Sequence, residues 1–181
     1  MSFKKVQEDI CSRREITVEA DYVIRHAELA DLDEIANLEQ LCFPEIEAAS
    51  KAAFFERLSV YAKHFLLLEK DGHIISMVNG MVTTQKDLMD EMYHDAGLHM
   101  EQGDWQMIFG VETHPEYRNS GYGALVLNEM IDEARQQNRL GLVLTCKEQL
   151  ISYYEKFGFV NEGVSVSEHG DVVWYQMRMK L

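Results

Sequence analysis

The chain has 181 residues, the length of one domain with a substantial core, which excludes a solenoid or a two-domain enzyme. Hydrophobic residues make up 46% and charged residues 27%, with two prolines and 11 glycines, so disorder, collagen and low-complexity tracts are excluded as well. Seventeen Lys plus Arg against 31 Asp plus Glu give a formal charge of −14, which argues against nucleic acid or an anionic membrane as partner and for cationic ones.

Residues 1–21 are polar, lack a sustained period and read as an N-terminal arm before a domain over 22–181. They have no apolar core of a signal peptide, and no run of about 18 apolar residues follows. Cys11, Cys42 and Cys146 form no CxxC pair, so neither a disulfide framework nor a zinc finger is expected, and the compartment expected is the reducing cytoplasm. Residues 22–25 read as a strand. Asp31, with Glu34 three residues on, has capping-box spacing before Ile35, Leu38 and Cys42 on one helical face. After Phe43-Pro44 a helix covers 50–62, and two apolar runs, 64–70 and 73–81, are joined as a hairpin by Asp71-Gly72. Residues 86–104 are acidic and partly helical, and 105–111 form one largely buried strand. A helix over 121–138 sets Ala124, Leu127, Ile131 and Ala134 on one face. A short strand over 142–144, a helix over 147–157 and strands over 159–166 and 172–179 complete the chain. The order βααββ(α)βαβαββ predicts an α/β domain, a mixed sheet with helices on both faces.

The chemistry concentrates in two segments. Arg118-Asn119-Ser120-Gly121-Tyr122-Gly123-Ala124 stands between the buried strand and the long helix. Small residues let backbone approach an anion, and the unpaired N–H groups and dipole of a first helical turn attract one. The turn therefore suits a pyrophosphate, although a plain strand-to-helix turn carries the same pattern. No Gly-Lys-Ser/Thr follows, so it is not a Walker loop, and it is not GxGxxG. In the second segment, Tyr153-Tyr154-Glu155-Lys156-Phe157-Gly158-Phe159, Tyr154 shares helical spacing with Leu150 and Phe157, which suits core packing. A phenol with a pKa of about 10 can also protonate a departing thiolate.

With these segments the chain resembles the GNAT superfamily of N-acetyltransferases, whose Q/R-x-x-G-x-G/A motif matches Arg118, Gly121 and Gly123 and whose Y-x-x-x-G-F signature matches Tyr154 to Phe159. The resemblance covers residues 22–180 and implies the GNAT fold, with the sheet splayed between its fourth and fifth strands. It implies acetyl-CoA as co-substrate, with pantetheine beside Val111, Glu112 and Thr113 and pyrophosphate on Arg118, Asn119, Ser120, Gly121, Tyr122, Gly123 and Ala124. Direct acetyl transfer to a primary amine follows from it, with a backbone N–H near Val111 at the oxyanion. Cys42-Phe43-Pro44-Glu45-Ile46-Glu47-Ala48-Ala49-Ser50 and Leu144-Thr145-Cys146-Lys147-Glu148-Gln149-Leu150 look like the arylalkylamine (serotonin) N-acetyltransferases and their bacterial relatives. That narrower resemblance implies an acceptor site around Phe43, Pro44, Glu47, Met107 and Phe109, with Tyr154 as general acid. A small arylalkylamine or polyamine is then the expected partner; a homodimer is one assembly open to such a chain, and the sequence does not fix the oligomeric state.

The animal enzymes carry two histidines at the positions of Met107 and Phe109, where neither side chain here takes a proton. Deprotonation of the amine falls to another residue, to water or to a substrate that arrives neutral. Glu112, His114, His94, His99 and Glu47 are candidates without a decisive position; HExxH is absent and no metal site is expected. Cys146 reads as a small apolar filler. Residues 28–50 carry seven acids and no base, and 86–104 six acids against Lys86, which together hold 12 of the 14 net charges and suit an ammonium acceptor. The alternatives are a protein lysine or N-terminal acetyltransferase, and a module that binds acyl-CoA without turnover.

Overall fold

The computed structural model describes residues 21–168, 170 and 172–181, so the expected arm lies, save for Asp21, outside the described residues. One sheet holds β1 (Val23–His26), β2 (Phe65–Lys70), β3 (His73–Asn79) and β6 (Gly110–Thr113), in that order. The other runs β4 (Val82–Thr83), β5 (Trp105–Ile108), β7 (Gly141–Cys146), β9 (Tyr175–Lys180), β8 (Val160–Val164). Helices α1 (Leu32–Cys42), α2 (Lys51–Tyr61), α3 (Tyr122–Gln136) and α4 (Ile151–Glu155) flank them.

The period of two in the strands explains the layering. Phe65 and Leu67 of β2 point to the same core as Met77, Met107 and Val143, beneath Ile35 and Leu38 of α1 and Phe54 and Leu58 of α2. Leu66 and Leu68 point the other way, with Ile108, Leu142 and Leu144, against Val126, Leu127, Met130 and Ile131 of α3. Each such side chain stabilises the fold by about 1.5–3 kcal/mol on burial. Helices thus cover both faces, as expected. Asp71 and Gly72 both take positive φ, 53° and 79°, the conformation of a two-residue hairpin turn.

The single strand expected over 105–111 is broken at Phe109. β5 pairs in parallel with β7 as far as Ile108↔Leu144, whereas β6 pairs antiparallel with β3 from Asn79↔Gly110 onward. Phe109 N donates to Asn79 O at 2.8 Å, which hands the chain from one sheet to the other. The sheets therefore part beyond Ile108, and among the described residues the edge of β6 away from β3 has no strand partner.

Other expectations shift locally. Asp31 does not cap α1 with Glu34: its Oδ2 accepts the Glu28 N–H at 2.8 Å, and its carboxylate takes two bonds from Arg25, at 2.8 and 2.9 Å. Glu34 instead accepts the Ile74 N–H at 2.7 Å, tying α1 to β3. The helical part of 86–104 is two single turns, Asp90–Tyr93 and Ala96–Leu98, and the helix over 147–157 shortens to α4 after the turn Glu148–Leu150.

Gly141, in the middle of the second sheet, packs against backbone: a Cβ there would lie 2.0 Å from Met179 O. Gly141→Ala is expected to cost about 1–3 kcal/mol, because a carbonyl of a paired strand has to move. Urea unfolding checks this as a lower midpoint at an unchanged slope.

Candidate functional site

The turn before α3 is shaped by its sequence. Pro115 opens a single turn, Pro115–Tyr117, Asn119 takes φ 61°, and Gly121 caps the helix at φ 86°, a left-handed angle that favours glycine. Arg118 Nε donates to Thr113 O at 3.2 Å, which fastens the turn to the end of β6. Among the described residues nothing lies within 4 Å of a Cβ placed on Gly121, and the first turn of α3 carries no acid. A Cβ on Gly123 would lie 3.0 Å from Thr113 Oγ1, so a small residue lets the helix start sit close to β6. The N–H groups of that first turn lie outside the helix's own bonding, and the surface above Gly121 is open. The turn and the unpaired edge of β6 fit an extended ligand ending in a phosphate group.

Where the sheets part, a cavity of 370 Å³ opens. Phe43, Glu47, Phe109, Val111, Glu112 and Tyr154, all expected site residues, line it. Pro44 does not; its carbonyl accepts the N–H groups of Glu47 and Ala48, both at 2.9 Å, and shapes the loop from behind. Met107, expected at the acceptor site, does not line the cavity either: it is fully buried in the core under α1 and α2, two residues before Phe109, where the sheets have not yet parted. Among the described histidines only His94 lines the cavity; His114 accepts the Glu116 N–H at 3.3 Å within its own turn.

The cavity is more polar than the sequence suggests. Glu39, Arg57, Asn79 and Tyr93 also line it, and none of them stood out as a site residue. Glu39 carried a signal: it shares the apolar stripe of α1 with Ile35 and Leu38, where an acid has no packing reason to be. Its Oε1 accepts the Ala49 N–H at 2.8 Å and anchors the 43–50 loop. Glu47 reaches across the cleft to Lys147, at 2.7 Å. Arg57 is held between the rings of Phe54 and Phe109, 5.3 and 5.0 Å from their centroids, and donates to Tyr93 O at 2.9 Å.

Burial, then the charge of Glu39, pushes the carboxyl of Glu112 well above the usual carboxylate range. Burial likewise holds the phenol of Tyr154 far above its ordinary value and the thiol of Cys146 at about 11, so both are neutral at physiological pH. Cys146 is thereby a poor nucleophile, in line with its reading as a filler.

Away from the cleft, His64, His99 and Glu101 bring donor atoms within 4.8 Å of one another. The Val82 N–H points at His99 Nδ1 (3.2 Å), which leaves the ring proton on Nε2, so that this nitrogen donates to Glu101 and is no metal ligand. No helix among the described residues is long and apolar enough to cross a membrane.

The sequence pattern of the acetyltransferase (GNAT) family matches residues 32–159. An uncharacterized N-acetyltransferase, ycf52, of Pyropia yezoensis is 24% identical over 110 residues, a match that covers 61% of this chain and 59% of that relative's length. In three dimensions the chain is similar to the loading GNATL domain of CurA from Lyngbya majuscula, with a TM-score of 0.76 at 17% identity over 88% of this chain and 97% of that one. It is also similar to the GphF GNAT-like decarboxylase in complex with isobutyryl-CoA, with a TM-score of 0.75 at 19% identity over 87% and 98% of the two chains. At these identities the likeness is one of fold.

Proposed function

The chain belongs to the acetyltransferase (GNAT) family, and from that premise we propose that it transfers an acetyl group from acetyl-CoA to a small primary amine, an arylalkylamine or a polyamine, by direct attack. One observation carries this reading: the cavity at the parting of the sheets joins a neutral buried phenol, Tyr154, to a wall of carboxyls, Glu39, Glu47 and Glu112. Such a wall suits an ammonium group, and the phenol is a proton donor in the same space. The similarity to a fold that holds isobutyryl-CoA supports an acyl-CoA along the open edge of β6.

When bound, acetyl-CoA supplies the thioester that the amine attacks. The first turn of α3, with Arg118, binds the pyrophosphate, and the backbone of Val111 and Thr113 pairs with the pantetheine arm. A backbone N–H near Val111 steadies the oxyanion. Tyr154 holds its proton ready for the sulfur. The volume of the cavity, 370 Å³, favours a small acceptor.

Acetyl-CoA consumption with a panel of amines, amino acids and lysine-bearing peptides tests the reading. Alkylammonium acceptors are expected to be used and anionic ones refused, and the KM of the amine should rise with ionic strength. A preferred acceptor of net negative charge, or acetylation of peptides alone, overturns it.

A further inference from the structure

On the cavity wall the carboxyls of Glu112 and Glu39 meet. Glu112 is 2% exposed, and no N–H or O–H among the described residues reaches its Oε2. Its Oε1 receives a 3.4 Å bond from Asn79 Nδ2. Opposite stands the carboxyl of Glu39, 5% exposed and fixed by the Ala49 N–H. Asn79 Oδ1, in a residue 1% exposed, is also without a donor. Backbone makes room for this arrangement: a Cβ on Gly110 would lie 2.0 Å from Glu112 Oε1, so only glycine lets the carboxyl fold back over the strand. Buried acceptors that line a cavity call for a ligand rich in N–H donors.

Resting on the N-acetyltransferase reading above, we propose that Glu112, paired with Glu39, is the base that takes a proton from the ammonium group of the acceptor. Two carboxyls so close and so dry do not both ionise freely, so the pair keeps one proton well above the usual carboxylate range. The groups that face Glu112 are Glu39 and Cys42 of α1, Arg57 of α2 and Tyr154 of α4, with His94 on the same cavity. Cys42 and Tyr154 are kept neutral by burial, and Arg57 is the cation that partly offsets the pair. An arriving ammonium adds positive charge and drives the shared proton out to solvent. Glu112 then takes one proton from the nitrogen. As the C–N bond forms and the C–S bond breaks, Tyr154 gives its phenolic proton to sulfur, and the second proton of the nitrogen replaces it on Tyr154. A turnover leaves the pair singly protonated again and releases one proton.

Glu112→Gln keeps the size and the acceptor of the side chain and removes the base. Its kcat/KM at pH 7.5 is expected to fall by ~10²-fold. The wild-type profile should level off at the upper ionisation of the pair, below the ~10.4 of an alkylammonium, whereas the variant keeps rising with the free amine. Glu39→Gln, which leaves the base and removes its partner, should move the plateau to lower pH with a smaller loss. A second readout needs no turnover. The folded-state pKa of Glu112 is raised, so stability is lost as pH rises through the unfolded value of about 4.3 and on toward the folded one. Wild-type protein should therefore melt progressively below Glu112→Gln as pH increases. Superimposable pH–rate profiles, or a difference in Tm that does not change with pH, overturn the proposal. A wild-type protein that binds acetyl-CoA and acetylates no amine overturns both the function and the base, even where the Tm difference grows with pH; a wild-type protein that acetylates amines beside an equally active Glu112→Gln overturns the base alone.

Discussion

Tyr154→Phe is expected to lower kcat by ~10²-fold and to leave acetyl-CoA affinity unchanged. Tyr154 is 8% exposed and stands on the cavity wall, and burial keeps its hydroxyl protonated across the working pH range. Its ring is held edge-on by Tyr153 and Phe159, with centroids 5.2 and 6.0 Å away, contacts that a phenylalanine retains. The loss therefore reports the hydroxyl and not the packing. Tyr153 turns toward the start of α3, its hydroxyl 3.7 Å from a Cβ placed on Gly123, so Tyr153→Phe should act on cofactor binding and barely on turnover. Steady-state rates beside calorimetry separate the two. Equal and small effects on kcat would move the acid elsewhere.

Gly121→Val is expected to weaken acetyl-CoA binding by more than ~10-fold, a loss of at least ~1.4 kcal/mol. The cost has two parts. A β-branched residue resists the left-handed angle of 86°, which alone opposes the turn by roughly 1–2 kcal/mol. The side chain also meets no protein atom within 4 Å among the described residues, so it stands in the open space above the first turn, where a phosphate would lie. Far-UV circular dichroism should be unaltered, since the strain falls at a helix end. Titration calorimetry decides the case, and unchanged affinity would remove the turn from the binding site.

The fold was largely legible because its signals are local. The apolar run through Phe65, Leu66, Leu67 and Leu68, the Asp71-Gly72 turn and the apolar stripe of α3 each settle an element without reference to the rest of the chain. The break at Phe109 was not legible, since a run over 105–111 that is apolar or small except at Gln106 gives the same pattern whether it serves one sheet or two. Nor was the capping of Asp31, which depends on Arg25 reaching it across a turn. At the site, the glycines and Tyr154 carry spacing motifs and could be found. Glu39, Arg57 and Asn79 lie on three elements distant in sequence, and only the packing of α1 and α2 onto β3 brings them together. Met107 shows the opposite error: counting from Arg118 gave the right strand, but Met107 lies before the break, in the packed core rather than where the sheets part.

The cleft owes its width to the path of the main chain. A stretch that belongs to two sheets in succession forgoes, among the described residues, a ladder of hydrogen bonds along one edge. Its shape is thus set before anything arrives, and little reorganisation accompanies filling. Replacing the lining groups recolours the walls without moving them, so neighbouring chains of this architecture can diverge in what they accept while the frame stays the same.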